Sequence, residues 1–419
     1  MSMKSRILPA VSGVAVMLFA GFVYAWSILS APIAAEFPKW SSTQLSLTFT
    51  VCMTFFCLGG LAGGALLRKV SARFNVLAAA VLFLSGFLLT ARMHTPAALY
   101  LGYGVLCGTA SGFAYNAVMS TVPKWFPGRQ GLISGILLMG FGLSGMIIGA
   151  AYTALTPGTI GAWRASLRFM GILMAVVLTV CSFFIRPPEA ARSGGEVSGH
   201  DVDLTPGRML RSSGFWCFFL WATLLSAAGL AVIGQARPIA LTVGPSLSAG
   251  EVSLIVGMIS VCNGLGRILA GTLYDRFGQK VTMITVVVLF LAGAGGIAAS
   301  SALKSFPLLI AGYIALGMGY GGGPTTGAAL TRDFFGSKHY SVNFSIANLN
   351  LMIASLGSTA AGALYDASGS FATTFVLLFV CVILAAASLA GVRRPSAAGA
   401  PDQKTPAAAE KASSADSAV

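Results

Sequence analysis

Apolar residues fill this chain in long blocks, separated by short polar breaks. Twelve blocks are long enough for helical spans of a bilayer, which takes about 20 residues per crossing. They are 8–33, 44–67, 75–93, 97–121, 131–155, 164–186, 214–236, 251–273, 281–300, 306–330, 341–365 and 370–392. An even number of crossings returns the chain to the face it left. The expected fold is all-α: a polytopic membrane protein of twelve transmembrane helices in two pseudo-symmetric six-helix bundles. The longest internal break holds Pro187, Pro188, Gly194, Gly195 and Gly199, the composition of a loop. It divides the chain into an N-terminal bundle (1–186), a cytoplasmic linker (187–213) and a C-terminal bundle (214–392). Residues 393–419 are rich in Ala, Ser and Pro, and a disordered cytoplasmic tail is expected there. The first block follows Lys4 and Arg6 but exceeds the ~7–15 residue apolar core of a signal peptide, so it reads as an uncleaved span.

The two bundles read as copies. Gly64 is followed by Arg68, Lys69 and Arg73; Gly271 is followed by Asp275, Arg276 and Lys280, an offset of 207. Trp125-Phe126-Pro127-Gly128-Arg129 parallels Asp333-Phe334-Phe335-Gly336-Ser337-Lys338 at nearly the same offset. A steady offset of half the chain marks an internal repeat, and related membrane halves meet around a central substrate site.

Charge adds orientation. Of 26 Lys and Arg, 19 fall on the face shared by both termini and the linker, six on the other, and Arg267 lies inside a span. That bias places both termini in the cytoplasm, in an inner (plasma) membrane. The net charge of +14 would suggest nucleic acid in a soluble protein, but here the lipid bilayer accounts for it, and no nucleic-acid partner is expected. Only 9% of residues are charged, against ~25% in soluble domains. The seven cysteines all sit in apolar blocks without metal-ligand spacing and read as packing residues. With no Ser/His/Asp, metal or phosphate-loop constellation, neither an enzyme nor a cofactor is expected. A signalling receptor would need a sizeable soluble domain, which the polar segments are too short to form.

Glycines recur at helix-packing intervals. Gly104, Gly108 and Gly112 are four residues apart in span four, and Gly131, Gly135, Gly142, Gly145 and Gly149 line span five. Such residues let backbones approach closely in lipid. The run from Gly319 to Pro324 in span ten reads in addition as a flexible stretch, too poor in helix formers to be stiff.

The segment Gly271-Thr272-Leu273-Tyr274-Asp275-Arg276-Phe277-Gly278-Gln279-Lys280 resembles the loop motif of the major facilitator superfamily. The resemblance implies a gating role at helix ends for Gly271, Asp275, Arg276, Gly278 and Lys280. The first copy, Gly64 to Arg73, has Arg68 where the family carries an acid. A narrower likeness covers most of the chain. Its elements are Tyr24-Ala25-Trp26-Ser27, Tyr115-Asn116-Ala117-Val118 through Trp125 to Leu132, and Asn263-Gly264-Leu265-Gly266-Arg267. Together they resemble the oxalate:formate antiporters and the monocarboxylate transporters. That likeness implies carboxylate substrates, a central arginine on span eight and an aromatic cavity lining, with Tyr24 and Asn116 among the candidate contacts.

Arg267 is the chemical focus. It lies eight residues before Asp275 at the cytoplasmic edge, hence ~12 Å deep and near the midplane of a ~30 Å core. A charge there costs at least ~2.5–3.5 kcal/mol on insertion scales, and the side chain is too short to snorkel out. None of the twelve Asp and Glu lies mid-span. The counter-ion is therefore expected to be a travelling anion, and the planar guanidinium fork matches a carboxylate. Asn263, one turn earlier, shares its face. The same counting puts Tyr115 ~12 Å, Asn350 ~15 Å and Tyr320 ~18 Å deep, with Asn348 nearby. Tyr24 and Trp26, toward the outer end of span one, read either as interfacial anchors or as outer-gate residues.

Span eleven departs from the oxalate exchangers, which carry a lysine there; Asn343 to Tyr365 has no Lys or Arg. One cation suits one negative charge, because a second carboxylate without a countercharge is expensive to bury. The expected cargo is a small carboxylate anion of the lactate, pyruvate or formate class, moved by exchange or with protons as partner, through a monomeric carrier. The alternatives are an oxalate-type dicarboxylate exchanger and an efflux carrier for another substrate.

Overall fold

A computed structural model describes residues 3–156, 158–188 and 203–395, and all regular structure among them is helical. The tail beyond 395 and linker residues 189–202 lie outside the described residues. Helix α1 covers 3–36, running as Met3–Ala20, a tighter 3-10 turn Gly21–Ala25, and Trp26–Glu36. It is followed by α2 (Ser42–Leu66), α3 (Ala72–Thr90), α4 (Pro96–Trp125), α5 (Gln130–Leu155) and α6 (Trp163–Ser182). The second half holds α7 (Ser213–Val243), α8 and α9 (the two parts of Ala249–Leu303), α10 (Phe306–Phe335), α11 (340–368, in three short segments) and α12 (Ala372–Ser388).

Eleven described segments are long and apolar enough to cross a membrane; Ile255–Leu303 is twice the length of one crossing and holds two, giving twelve. Gly278 separates the two, with φ +74° and ψ −172°, a backbone conformation in the left-handed half of the map that a side chain would strain. Local sequence sets several helix starts. Ser41 Oγ accepts from Gln44 N while Gln44 Oε1 accepts from Ser41 N, and Ser248 pairs with Glu251 in the same way. Each box satisfies two backbone donors that would otherwise lack partners.

Buried apolar residues fall into two clusters. One is built mostly from α1–α6 and includes Phe22, Phe83 and Trp163; the other, from α7–α12, includes Phe218, Trp221 and Phe290. Residues from α10 and α11 (Ala328, Tyr340, Phe344, Leu351) join the first cluster, so the two halves are packed together.

Three expectations are corrected. First, Tyr24 is not an interfacial anchor: its ring packs edge-on against Phe141 of α5, inside the protein. Nor is Trp26 an interfacial anchor: it is 6% exposed, its ring meets Tyr103 at a tilt with centroids 4.6 Å apart, and it donates to Leu45 O. Second, α10 runs as a helix through Gly319–Pro324. The glycines there serve contact: Gly317 fits against Ile259, Gly319 against Phe290 and Gly321 against Asn263 O. Third, the end of the linker is ordered. Pro206–Leu210 forms one helical turn, Leu204 N donates to Phe335 O, and Asn343 Nδ2 donates to Leu204 O.

The face opposite the chain ends carries a clamp. Arg164 at the start of α6 pairs with Glu36 at the end of α1 and donates to Met93 O; Trp163 Nε1 donates to Glu36 Oε2. Arg164 holds the Glu36 carboxyl below its ordinary value. A carboxyl lowered in the folded state contributes stability that is complete above its unfolded pKa and lost as pH falls through the folded one. Thermal unfolding in detergent, followed from pH 7 down to 3, should therefore show an acid loss that Glu36→Gln reduces.

Candidate functional site

Arg267, on α8, is 1% exposed. Its Nε donates to Asn263 Oδ1 at 3.2 Å, which fixes the guanidinium plane from one turn earlier on the same helix. NH1 donates across the bundle interface to Leu138 O on α5, a short contact. Gly142 makes room for this: a Cβ there would stand 3.1 Å from Arg267 Cζ and 3.2 Å from Nε. Gly135 allows the backbones to meet, since its Cβ would lie 2.4 Å from Arg267 O. Among the described residues the ion pairs are Arg164–Glu36 and Arg394–Asp333, and no carboxylate pairs with Arg267. The charge is thus held by a neutral amide and a backbone carbonyl.

Three tyrosines lie within its electrostatic reach, namely Tyr24 of α1, Tyr115 of α4 and Tyr320 of α10. The Tyr24 hydroxyl faces both Arg267 and the Tyr320 hydroxyl. Phe141 of α5 organises the rings: Tyr24 and Tyr115 meet it edge-on at 5.6 and 5.1 Å, and Tyr115 stacks on Phe344 at 5.6 Å. Asn348 reaches the Tyr115 hydroxyl. Asn350 is 7% exposed and lines a small pocket with Phe218, Ser226, Pro324 and Asn348, a pocket whose lining does not include Arg267. The arrangement is a charged centre walled by hydroxyls and aromatic rings, suited to a small anion with an apolar remainder.

Asn116 is corrected. It points into the contact between halves, donating to Ser341 O at 2.9 Å and to Ser345 Oγ. Ser345 Oγ and Ser341 Oγ in turn donate to Gly60 O and Gly64 O of α2. Asn116 thus bonds across the seam between the halves, away from the Arg267 cluster.

The α5–α8 side has a charged latch. Gly271 meets Gly131 so closely that a Cβ on Gly271 would lie 2.3 Å from Gly131 O. Asp275 then caps α5: its two oxygens accept from Gly131 N and Leu132 N, both at 2.8 Å. The carboxylate satisfies free amides of a helix start and meets the positive end of its dipole. Arg276 and Lys280 do not join this network; they are exposed and form no ion pair among the described residues. Tyr274 and Asp333 do extend it, with Tyr274 Oη donating to Asp333 Oδ2 at 3.1 Å and Arg394 pairing with Asp333. At the equivalent α2–α11 site, Arg68 replaces the acid. Burial first, then the Arg68 and Lys338 charges, push His339 below its ordinary value at the start of α11. One latch is charged and the other neutral. Both lie on the face of the chain ends, where Gly13 of α1 packs on Val122 and Leu137.

One buried charge escaped the sequence reading. Arg332 near the end of α10 is 6% exposed, although span counting places it in the polar break after span ten. The available signal was the helical continuation of span ten through Ala328, Ala329 and Leu330.

Comparison with known proteins agrees with this architecture. The sequence model of the Major Facilitator Superfamily matches residues 11–246 and again 219–416, once per half. An uncharacterized MFS-type transporter, YhjX of Escherichia coli, is 26% identical over 84% of this chain and 86% of its own. The oxalate:formate antiporter of Oxalobacter formigenes is 25% identical over 88% and 86%. Monocarboxylate transporter 12 of Mus musculus is 24% identical over 84% and 78%. Among solved structures, the proton:xylose symporter XylE superposes with TM-score 0.75 at 13% identity over 93% of this chain and 95% of that one, a likeness of fold.

Asp275→Asn keeps the size of the cap but loses its charge. Hydrogen bonds to charged groups contribute ~1.5–3 kcal/mol against about 1 for neutral ones, so the closed arrangement should lose about tenfold in population. Maleimide labelling of Ala328→Cys, a position buried between the halves, should accelerate correspondingly; an unchanged labelling rate would remove Asp275 from the latch.

Proposed function

We propose that this chain, which belongs to the Major Facilitator Superfamily, carries small monocarboxylates across its membrane by alternating access between two six-helix bundles, 1–186 and 214–392, joined by the 187–213 linker. The observation that carries the reading is the guanidinium of Arg267, buried beside the tyrosine cluster between the halves with no carboxylate among the described residues to neutralise it. A charge in that position is stable only with hydrogen-bond acceptors and, best, an anion. The names of its relatives, an oxalate:formate antiporter and monocarboxylate transporters, point to the same cargo class.

The geometry suggests how binding couples to opening. Arg267 on α8 holds Leu138 O on α5, a bond that crosses between the halves. A cargo carboxylate competes for the same N–H donors. Its arrival exchanges an interface bond for a cargo bond and weakens the α5–α8 contact beside the Asp275 latch. Tyr24 and Tyr320 offer hydroxyls to the carboxylate, while Phe141, Phe56 and Phe344 accept an apolar tail. The N-terminal half offers Gly60 at the position equivalent to Arg267, and α11 has no lysine, which favours one carboxylate over two. Asn263, an amide, cannot relay a proton beside Arg267, which favours exchange of one anion for another over proton transfer at this pair. The basic face, with both termini, is the cytoplasmic one.

The test is uptake of labelled lactate, pyruvate and formate into proteoliposomes, with oxalate as the dicarboxylate control. Losing a desolvated charge pair costs about 2 kcal/mol or more, so Arg267→Ala and Arg267→Lys should each lower uptake about thirtyfold or more. Normal uptake by either variant would sink the site, and oxalate carried as well as formate would favour the dicarboxylate reading.

A further inference from the structure

Arg332 is a second arginine withdrawn from solvent, and the site around Arg267 does not use it. It sits where α4, α10 and α11 meet, on the face of the latches. Its NH2 donates to Met119 O of α4 at 3.2 Å, and its guanidinium carbon stands 4.2 Å from the centre of the Tyr340 ring. Its Nε and NH1 are fully enclosed and make no hydrogen bond of good geometry, and the Tyr340 hydroxyl, although close to the guanidinium, makes none either. No carboxylate among the described residues pairs with it. Asp275 lies within its field, but both Asp275 oxygens are committed to the start of α5. A second cation, Lys124, follows Met119 by five residues at the end of α4, is half-buried and lies within the field of Arg332.

Two cations converge here around enclosed donors, which is unfavourable for the protein alone. Burying donors without acceptors is costly, and like charges at close range repel. An oxyanion resolves both problems: it accepts from Nε, NH1 and the Tyr340 hydroxyl, and it neutralises the pair. The location adds direction, because Arg332 and Tyr340 lie in the seam between the halves that the Asp275 and Asn116 latches close. We propose that Arg332, Lys124 and Tyr340 form a second anion site, for a carboxylate-sized oxyanion, which is reached when these latches open. Its use as a station for cargo leaving Arg267 rests on the proposed function; the existence of the site does not.

The test separates the two. The purified full-length chain is reconstituted in nanodiscs carrying Arg267→Gln, to remove the central site, and Gly271→Ala, to loosen the latch without changing charge. Lactate and inorganic phosphate are titrated by calorimetry. An anion should still bind, and adding Arg332→Gln should weaken it at least about tenfold, with Arg332→Lys recovering part of the loss. If Arg332→Gln does not fold, Lys124→Gln at the edge of the site should weaken binding severalfold. Absence of lactate and phosphate binding after Arg267→Gln, or binding indifferent to Arg332 and Lys124, overturns the proposal. A wild-type chain that moves no monocarboxylate, yet shows binding that depends on Arg332, would defeat the cargo assignment and leave this site standing.

Discussion

A guanidinium reaching from one half of a membrane protein to a backbone carbonyl of the other is the interaction on which the rest of this structure turns. Arg267 cannot be solvated by lipid, and no acid among the described residues pairs with it. It is accommodated because Gly142 and Gly135 thin α5 where α8 crosses, because Asn263 fixes its plane, and because Leu138 O lies within reach. Each of these partners is neutral. They satisfy the geometry of the charge without cancelling it, and the proposed monocarboxylate would meet that residual charge.

The two latches show how a repeated architecture diverges. The halves share a glycine crossing at equivalent places, Gly271 with Gly131 and Gly64 with Ser341. On one side Asp275 caps a helix start. On the other, Arg68 takes the acid's position, and closure rests on Ser341, Ser345 and Asn116 bonded to carbonyls and hydroxyls. A charged cap at a helix dipole is stronger than neutral bonds of the same length. The two sides of the seam are therefore unequal in strength, and Arg332 and Lys124 lie near it.

Much of this was legible in order along the chain. Span count, the internal repeat and the depth of Arg267 all follow from counting residues at 1.5 Å per residue between polar markers. The same counting failed wherever a helix outran its apolar block. Tyr24 sits within α1, but counting could not tell that its ring turns to Phe141 of α5. Helix α10 continues past its hydrophobic stretch, which hid the burial of Arg332. Arg276 and Lys280 share a motif with Asp275, but only Asp275 points at a neighbouring helix start.

The sequence by itself determined that this chain crosses a membrane about twelve times in two related halves, with one arginine stranded at bilayer depth. These are one-dimensional facts, set by the thickness of the hydrocarbon and the cost of burying charge. Only the tertiary structure decided which side chains meet: that Tyr24 faces Tyr320 and Arg267, that Asn116 locks a seam, and that Arg332 is enclosed. Rotation about a helix axis and the identity of the facing helix come from packing between segments hundreds of residues apart, and local spacing does not encode them.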